Sequence, residues 1–328
     1  MLVVVGLLYS LIVYRVIGVT FLIAVLSLLI FIVIIGDPPE ENLFLLDEFH
    51  TPSYLLLAVW IGIGAMAIAR AALWVASLDR RWQYVVVFVL AVFFLFPPGL
   101  QMWKNLKLVN RRRNYVAYDY ASNILNSLKP NAILFTWGDS GAFPLWYLHI
   151  VEKKRPDVTL IHVPHLGTDW YVEQLPKDLF ISDDPFHKYE GYLPPMIDEI
   201  VHKNSFSRPV YFDYSSTHAM MPPYDLIPHG LVYKVAIPGD TLDEDIWNRY
   251  RFRGILDQTR HHIALDPDVR RTFLMYGSAR IELGHYYLDR DLLDKAAAEF
   301  NAAVQFDPSL GDGIVRMLQF RDKMLGGS

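Results

Sequence analysis

The chain has 328 residues, 53% hydrophobic and 20% charged, and its mean hydropathy of +0.22 is too high for an ordinary soluble protein of this length. The net charge of −5, with no stretch that interleaves basic and aromatic residues, argues against a nucleic-acid partner. The absence of cysteine excludes disulfides without naming a compartment.

The apolar excess lies at the N-terminus. Leu2 to Tyr14 is apolar but shorter than the roughly 17 residues a membrane span needs. Arg15 separates it from the next run, so it reads as a clipped span. A cleaved signal peptide is the competing idea, but no basic region precedes this run and no small-residue cleavage site follows it. Val16 to Gly36 and Trp82 to Trp103 hold no charge and Tyr54 to Leu78 holds only Arg70. Each is long enough to cross about 30 Å of hydrocarbon. Residues 1–103 are therefore expected to be a transmembrane region of three to four spans (2–14 clipped, 16–36, 54–78 and 82–103) in contact with membrane lipid.

Loop charges give an orientation. Arg15 and the Asp79-Arg80-Arg81 turn fall on one side, and Asp37, Glu40, Glu41, Asp47 and Glu48 on the other. The positive-inside rule faces the acidic loop outward, together with everything after about residue 104. Lys104, Lys107, Arg111, Arg112 and Arg113 oppose that orientation, although a basic collar can also lie against anionic headgroups or a phosphate-linked lipid.

Residues 104–240 read as an extracytoplasmic α/β domain. A helix is expected near 115–128, strands at Ala132 to Thr136 and Val158 to Val163, and further strands at Val210 to Tyr214 and Leu231 to Val235. The first two strands should run near-parallel around a crossover helix, with Gly138-Asp139-Ser140-Gly141 as a turn capped by Asp139 or Ser140. Pro185, Pro194, Pro195, Pro222, Pro223 and Pro228 predict long loops between the later strands. From about Asp243 the pattern turns helical, giving a region 241–328. There Leu283-Gly284, Tyr287, Ala296, Phe300, Ala303 and Pro308 have the spacing of a tetratricopeptide (TPR) unit, with Arg280 at the usual Trp position. His261 to Pro267 reads as the end of a degenerate preceding repeat. An ordinary helical hairpin is the plainer alternative. Fewer than about three units make no extended groove, so such a hairpin caps the α/β domain or docks an envelope partner.

Candidate chemistry is sparse. Asp139 sits where open α/β sheets place ligands, but a helix cap explains it equally. The turn has neither the dinucleotide nor the Walker spacing, so no nucleotide cofactor is implied. His162 and His165, three apart, would converge only if the strand ends near Pro164; no metal signature completes them, and no metal site is expected. The adjacent His261 and His262 point in different directions on a helix. Trp137, Phe143, Trp146, Tyr147, Trp170 and Tyr171 read as core, as a membrane-surface belt, or as a platform on which sugar rings stack while hydroxyls reach Asp169 or Asp139. Asp47, Glu48 and His50 are the clustered acid–base groups nearest the bilayer, with a solvated acidic face as the default. The catalytic candidates are thus Asp139, Asp169, Asp47 and Glu48, and the substrate-binding candidates Trp137, Trp146, Trp170 and Tyr171.

The segment NAILFTWGDSGAFPLWYLHIVEKKRPDVTLIHVPHLGTDWY at 131–171, with YDYA at 118–121, PSYLLLAVWIGIG at 52–64 and RYRFRGILD at 249–257, resembles a family of bacterial polytopic membrane proteins. That family, long a domain of unknown function, is related to the eukaryotic transmembrane protein O-mannosyltransferase. Its members carry an Asn-Asp pair where this chain has Asp139-Ser140-Gly141. The resemblance implies a C-type glycosyltransferase-like protein using a polyprenyl-phosphate sugar donor and a polypeptide acceptor. It also implies that the chain corresponds to a C-terminal half, since nothing here matches the module whose first outward loop holds the acidic residue for sugar transfer. Two functions are expected: the acceptor-binding part of a lipid-linked-sugar-dependent protein O-glycosyltransferase, or a non-catalytic membrane-anchored interaction protein of the cell envelope.

Overall fold

The structure is a computed structural model that describes residues 1–34, 49–77, 82–256, 263, 266–315 and 318. It divides into two compact units, Met1–Lys107 and Leu108–Ser328.

The first unit is helical: α1 Leu2–Val13, α2 Arg15–Ile34, α3 Thr51–Ala76 and α4 Gln83–Val109. The last three are long and apolar enough to cross a membrane, whereas α1 has only 12 residues. Together with the relationship reported below, they make the chain a membrane protein. Glycine sets how α1 meets α3. A Cβ on Gly6 would overlap the Trp60 carbonyl, and one on Gly64 the Leu2 carbonyl, so the two backbones touch where only hydrogen fits. Ser10, Ser53 and Trp60 are buried along the same contact. Asp47 and Glu48 lie outside the described residues.

The second unit is built on a five-stranded sheet of order β2-β1-β3-β5-β4. Its strands are β1 Ile133–Thr136, β2 Thr159–His162, β3 Val210–Asp213, β4 Leu226–His229 and β5 Val232–Val235. β1 pairs parallel with β2 and β3, and the β3–β5 and β5–β4 pairs are antiparallel. The pleat sorts the apolar residues. Leu134, Tyr211 and Val232 face one layer with α5 Val116–Ser127, and Ile133, Phe135, Phe212 and Val235 face the other. α6 Asp139–Trp146 leads toward β2, and the short α7 Asp169–Gln174 and α8 Pro185–Tyr189 precede α9 Leu193–Asn204, which covers the second face.

Three sequence expectations change here. Pro185, Pro194 and Pro195 stand in the first turns of α8 and α9, where a missing N–H is no loss, so helices replace the expected loops. Pro228 sits within β4, which sequence reading missed; the strand is at the sheet edge, where proline is tolerated. Past α10 Tyr214–Met220 and the final hairpin of the sheet, a 3-10 turn stands at Ile246–Arg249, and the next α-helix among the described residues is α11 Pro267–Leu288.

α11 and α12 Leu293–Phe306 form a helical hairpin whose inner residues join the core layer of α5. Phe300 packs directly on Gly284, where a Cβ would lie 2.5 Å from its ring. The segment before the hairpin is tied to α5. Asp119, fully buried, accepts from the backbone N–H, Nε and Nη2 of Arg253, and the Asn123 amide bridges the Arg251 backbone and the Tyr276 hydroxyl.

Candidate functional site: an aromatic cleft beside β2

The β2 strand ends at His162, and a 3-10 turn at Val163–Gly167 reverses the chain into α7. That early end turns His165 back onto His162, so two imidazoles that strand geometry would place on opposite faces meet edge to face, with ring centroids 4.6 Å apart. His165 is flanked by Trp146 at 5.7 Å and Trp170 at 5.6 Å, with Tyr171 at 5.3 Å. The Tyr171 hydroxyl accepts from the His162 backbone N–H at 2.8 Å, which pins α7 to the strand end.

These rings wall a cleft of about 540 Å³, lined by Trp146, His149, His165, Trp170, Tyr171 and Gln174 over an apolar floor that includes Leu160 and Leu175. That volume suits a small ligand. Among the described residues no Asp, Glu, Lys or Arg lines it. Its helical wall is irregular: α6 passes into a π turn at Tyr147–Val151, followed by Lys153 and Arg155 with φ of 55° and 51°. Non-glycine residues hold such angles only when their surroundings impose them. Here Arg155 donates to the Leu125, Leu128 and Lys129 carbonyls and to Asp157. π turns recur at functional positions, and this one carries His149 and Ile150 into the cleft wall.

Burial, then the neighbouring His165, pushes the His162 imidazole down to about 4, against a smaller opposing pull from Asp139. His162 is thus neutral at physiological pH. The His165 Nδ1 is buried without a hydrogen-bond partner, so stacking holds that ring in place.

The structure brings Trp146, Trp170 and Tyr171 together and leaves the other candidates elsewhere. Core packing does not account for the aromatic group, since Trp170 is 53% and Phe143 51% exposed. Trp137 packs on the α9 side of the sheet and does not line the cleft. Asp139 is exposed at the first position of α6 and makes no capping bond; Gly138, at φ 78°, holds the cap position in its stead, and Ser140 donates to Asp268 at 3.0 Å. Asp169 lines a separate, smaller depression with Glu173, Lys177, Asp184 and His187. Among the described residues no group of three or more His, Cys, Asp or Glu is placed to hold a metal.

Sequence reasoning missed Asp213. It ends β3 beside β1, where the chain leaves the two strands in opposite directions, the position at which open α/β sheets hold ligands. Its side chain is fully buried, Oδ1 accepts from the Ser216 N–H at 2.6 Å, and Oδ2 lies 3.3 Å from where a Cβ on Gly141 would stand. Burial pushes its carboxyl up to about 7 against the pull of the Ser216 and Trp137 backbone N–H groups. An apolar strand closing on Asp three residues before a Ser was the available signal.

Apolar helices followed by a mixed-sheet unit with a ligand-sized aromatic cleft define a membrane protein with a folded α/β unit. Sequence comparison relates the chain to the TMEM260 family. The family described as TMEM260-associated domain 2 matches residues 117–185, which contain every residue of the cleft. The protein O-mannosyl-transferase tmem260 of Dictyostelium discoideum is 24% identical over 191 residues, 54% of this chain and 22% of the relative. The protein O-mannosyl-transferase TMEM260 of Mus musculus is 26% identical over 155 residues, 45% of this chain and 21% of the relative. The matches thus cover about a fifth of the length of these curated relatives. No solved structure matches.

Proposed function

We propose that the Leu108–Ser328 unit recognises the acceptor for a glycosyltransferase-like membrane protein that moves a sugar from a lipid-phosphate donor to polypeptide hydroxyls. The observation that carries this reading is the uncharged aromatic cleft inside the segment shared with the TMEM260 family. In such a transfer the acceptor oxygen bonds to the anomeric carbon as the bond to the lipid phosphate breaks. The phosphate leaves with the bonding pair, and a carboxylate base takes the hydroxyl proton. Because no carboxylate stands among the described residues of its lining, we assign recognition to the cleft and the chemistry to a catalytic module on the same or another chain. A polyprenyl-phosphate is the donor this reading requires, and the basic run from Lys104 to Arg113 suits its headgroup side. The acidic residues in the sequence before α3 and the Arg80-Arg81 pair between α3 and α4 favour an outward-facing unit, periplasmic if the membrane is a bacterial inner membrane.

The α11–α12 hairpin we read as a single TPR-type unit acting as a cap. Leu283, Gly284, Ala296, Phe300 and Ala303 lie between its helices, and its inner face is spent on the core shared with α5. A non-catalytic anchored scaffold is the second reading, supported by the lack of carboxylates in the cleft. The test is sugar transfer to polypeptide in membranes reconstituted with the full chain and its catalytic module. Trp146→Ala and Trp170→Ala should lower transfer mainly through KM for the acceptor. Unchanged transfer by folded variants rejects the acceptor role.

A further inference from the structure

We infer that the ligand of the cleft is an uncharged pyranose already attached to the acceptor, so the unit reads the glycosylated product and not the lipid-phosphate donor. The inference rests on the acceptor-recognition reading and narrows it to a chemical class. Three observations on the cleft point the same way.

The first is charge. A sugar phosphate or lipid pyrophosphate needs cations or a cluster of N–H donors, and Arg and Lys are the residues that usually supply them. The lining has neither. It has no carboxylate to attract a basic peptide side chain either. The second is shape and surface. Trp146 and Trp170 flank His165, and more than half of the Trp170 surface is open to solvent. A pyranose presents patches of ring C–H groups that pack on an indole ring and hydroxyls that need hydrogen-bond donors and acceptors. The third is the supply of hydrogen-bonding partners. Gln174 offers both an amide N–H and a carbonyl on the lining, and the imidazole of His149, its Nδ1 paired with the Lys154 carbonyl at 3.1 Å, is a further polar group there. Asp169, which with Asp139 was the sequence-based candidate for the hydroxyls of a stacked sugar, lies in the neighbouring depression; Gln174, on the last turn of the same short helix, lines the cleft.

Reading product has a consequence for the order of events. A unit that holds an acceptor bearing its first sugar keeps the polypeptide at the membrane after each transfer, so acceptors with several hydroxyls are modified in succession. The reaction that supplies the cleft is the transfer itself.

The experiment is saturation-transfer NMR on the full chain in detergent, with methyl α-D-mannopyranoside, mannose 1-phosphate and an unglycosylated Ser/Thr peptide as separate probes. Methyl α-D-mannopyranoside should bind with a millimolar Kd, mannose 1-phosphate no more tightly. Trp170→Ala should weaken the pyranoside about tenfold, Trp170→Phe should retain most of the binding, and Gln174→Ala, at an exposed position, should weaken it without touching the stack. Tighter binding of mannose 1-phosphate would overturn the inference in favour of the donor. Trp170-dependent binding of the bare peptide without the pyranoside would overturn it while leaving the acceptor role standing. Failure of both the pyranoside and the peptide would remove the acceptor role as well.

Discussion

His162 and His165 pack edge to face at 4.6 Å because β2 stops at the first of them and the following 3-10 turn carries the second back. The pair fixes the inner wall of the cleft: His165 seats Trp146 and Trp170, while the backbone of His162 holds Tyr171. A strand longer by three residues would have sent the rings to opposite faces of the sheet.

The buried imidazole gives the unit a pH dependence. With the folded pKa of His162 near 4 and an unfolded value near 6.5, the unfolded chain binds more protons between those limits. The contribution of His162 to stability therefore rises with pH across that window and is complete above it. Its Nδ1 has only a long 3.4 Å contact to Thr136, so His162→Phe keeps the ring packing and should flatten the slope. Thermal unfolding of the full chain in detergent at pH 4.5 and 7 checks this; an unchanged difference between the two pH values would show that His162 does not carry it.

Asp213 acts with the opposite sign. Its folded pKa near 7 lies above the 3.8 of a free carboxyl, so the folded state binds more protons between those values and the contribution falls as pH rises. Asp213→Asn retains an oxygen for the Ser216 N–H and removes the ionisation. The Tm advantage of the variant over the wild type should therefore widen from pH 5 to pH 8. Equal Tm values at pH 8 would mean the carboxyl is already accommodated as an anion.

Gly64 is a steric requirement of the membrane-spanning unit. Gly64→Ile would force α1 off the α3 backbone at the Leu2 carbonyl, and overpacking of this kind costs about 1–3 kcal/mol. Because the chain has no cysteine, a single pair introduced on α1 and α3 reports their approach by crosslinking without background. Crosslinking should be lost in Gly64→Ile; retention would place the closest approach elsewhere.

Gly284 has the same role in the hairpin. A Cβ there lies 2.5 Å from the buried Phe300 ring, so Gly284→Val should cost about 1–3 kcal/mol, and Phe300→Leu in the same chain should restore part of it. Proteolysis of the α11–α12 region is the measurement. Equal protection in Gly284→Val and the wild type would show that the helices separate at little cost.

The membrane spans, the parallel β1–β2 pair and the strand-forming residues of β3 and β5 were legible because each depends on local hydrophobic pattern. β4 was not, because Pro228 reads as a breaker and only its place at the sheet edge makes it harmless. Of the candidate site, the aromatic residues Trp146, Trp170 and Tyr171 were identifiable by type. Their convergence depended on where β2 ends and on the π turn after α6, which no periodicity announces. Asp139 drew attention by sequence position, yet Asp213 occupies the buried place between β1 and β3. The pairing of those two strands brings together residues 77 positions apart, as in Ile133 with Val210, and only the folded sheet shows it.

The most direct test is the affinity of one polypeptide for the full chain in detergent, measured with and without its O-linked hexose, for the wild type and Trp170→Ala. The account predicts that the wild type retains the polypeptide more tightly when it is glycosylated, and that Trp170→Ala removes this difference by weakening retention of the glycosylated form. Equal retention by the wild type and a folded Trp170→Ala chain would contradict it.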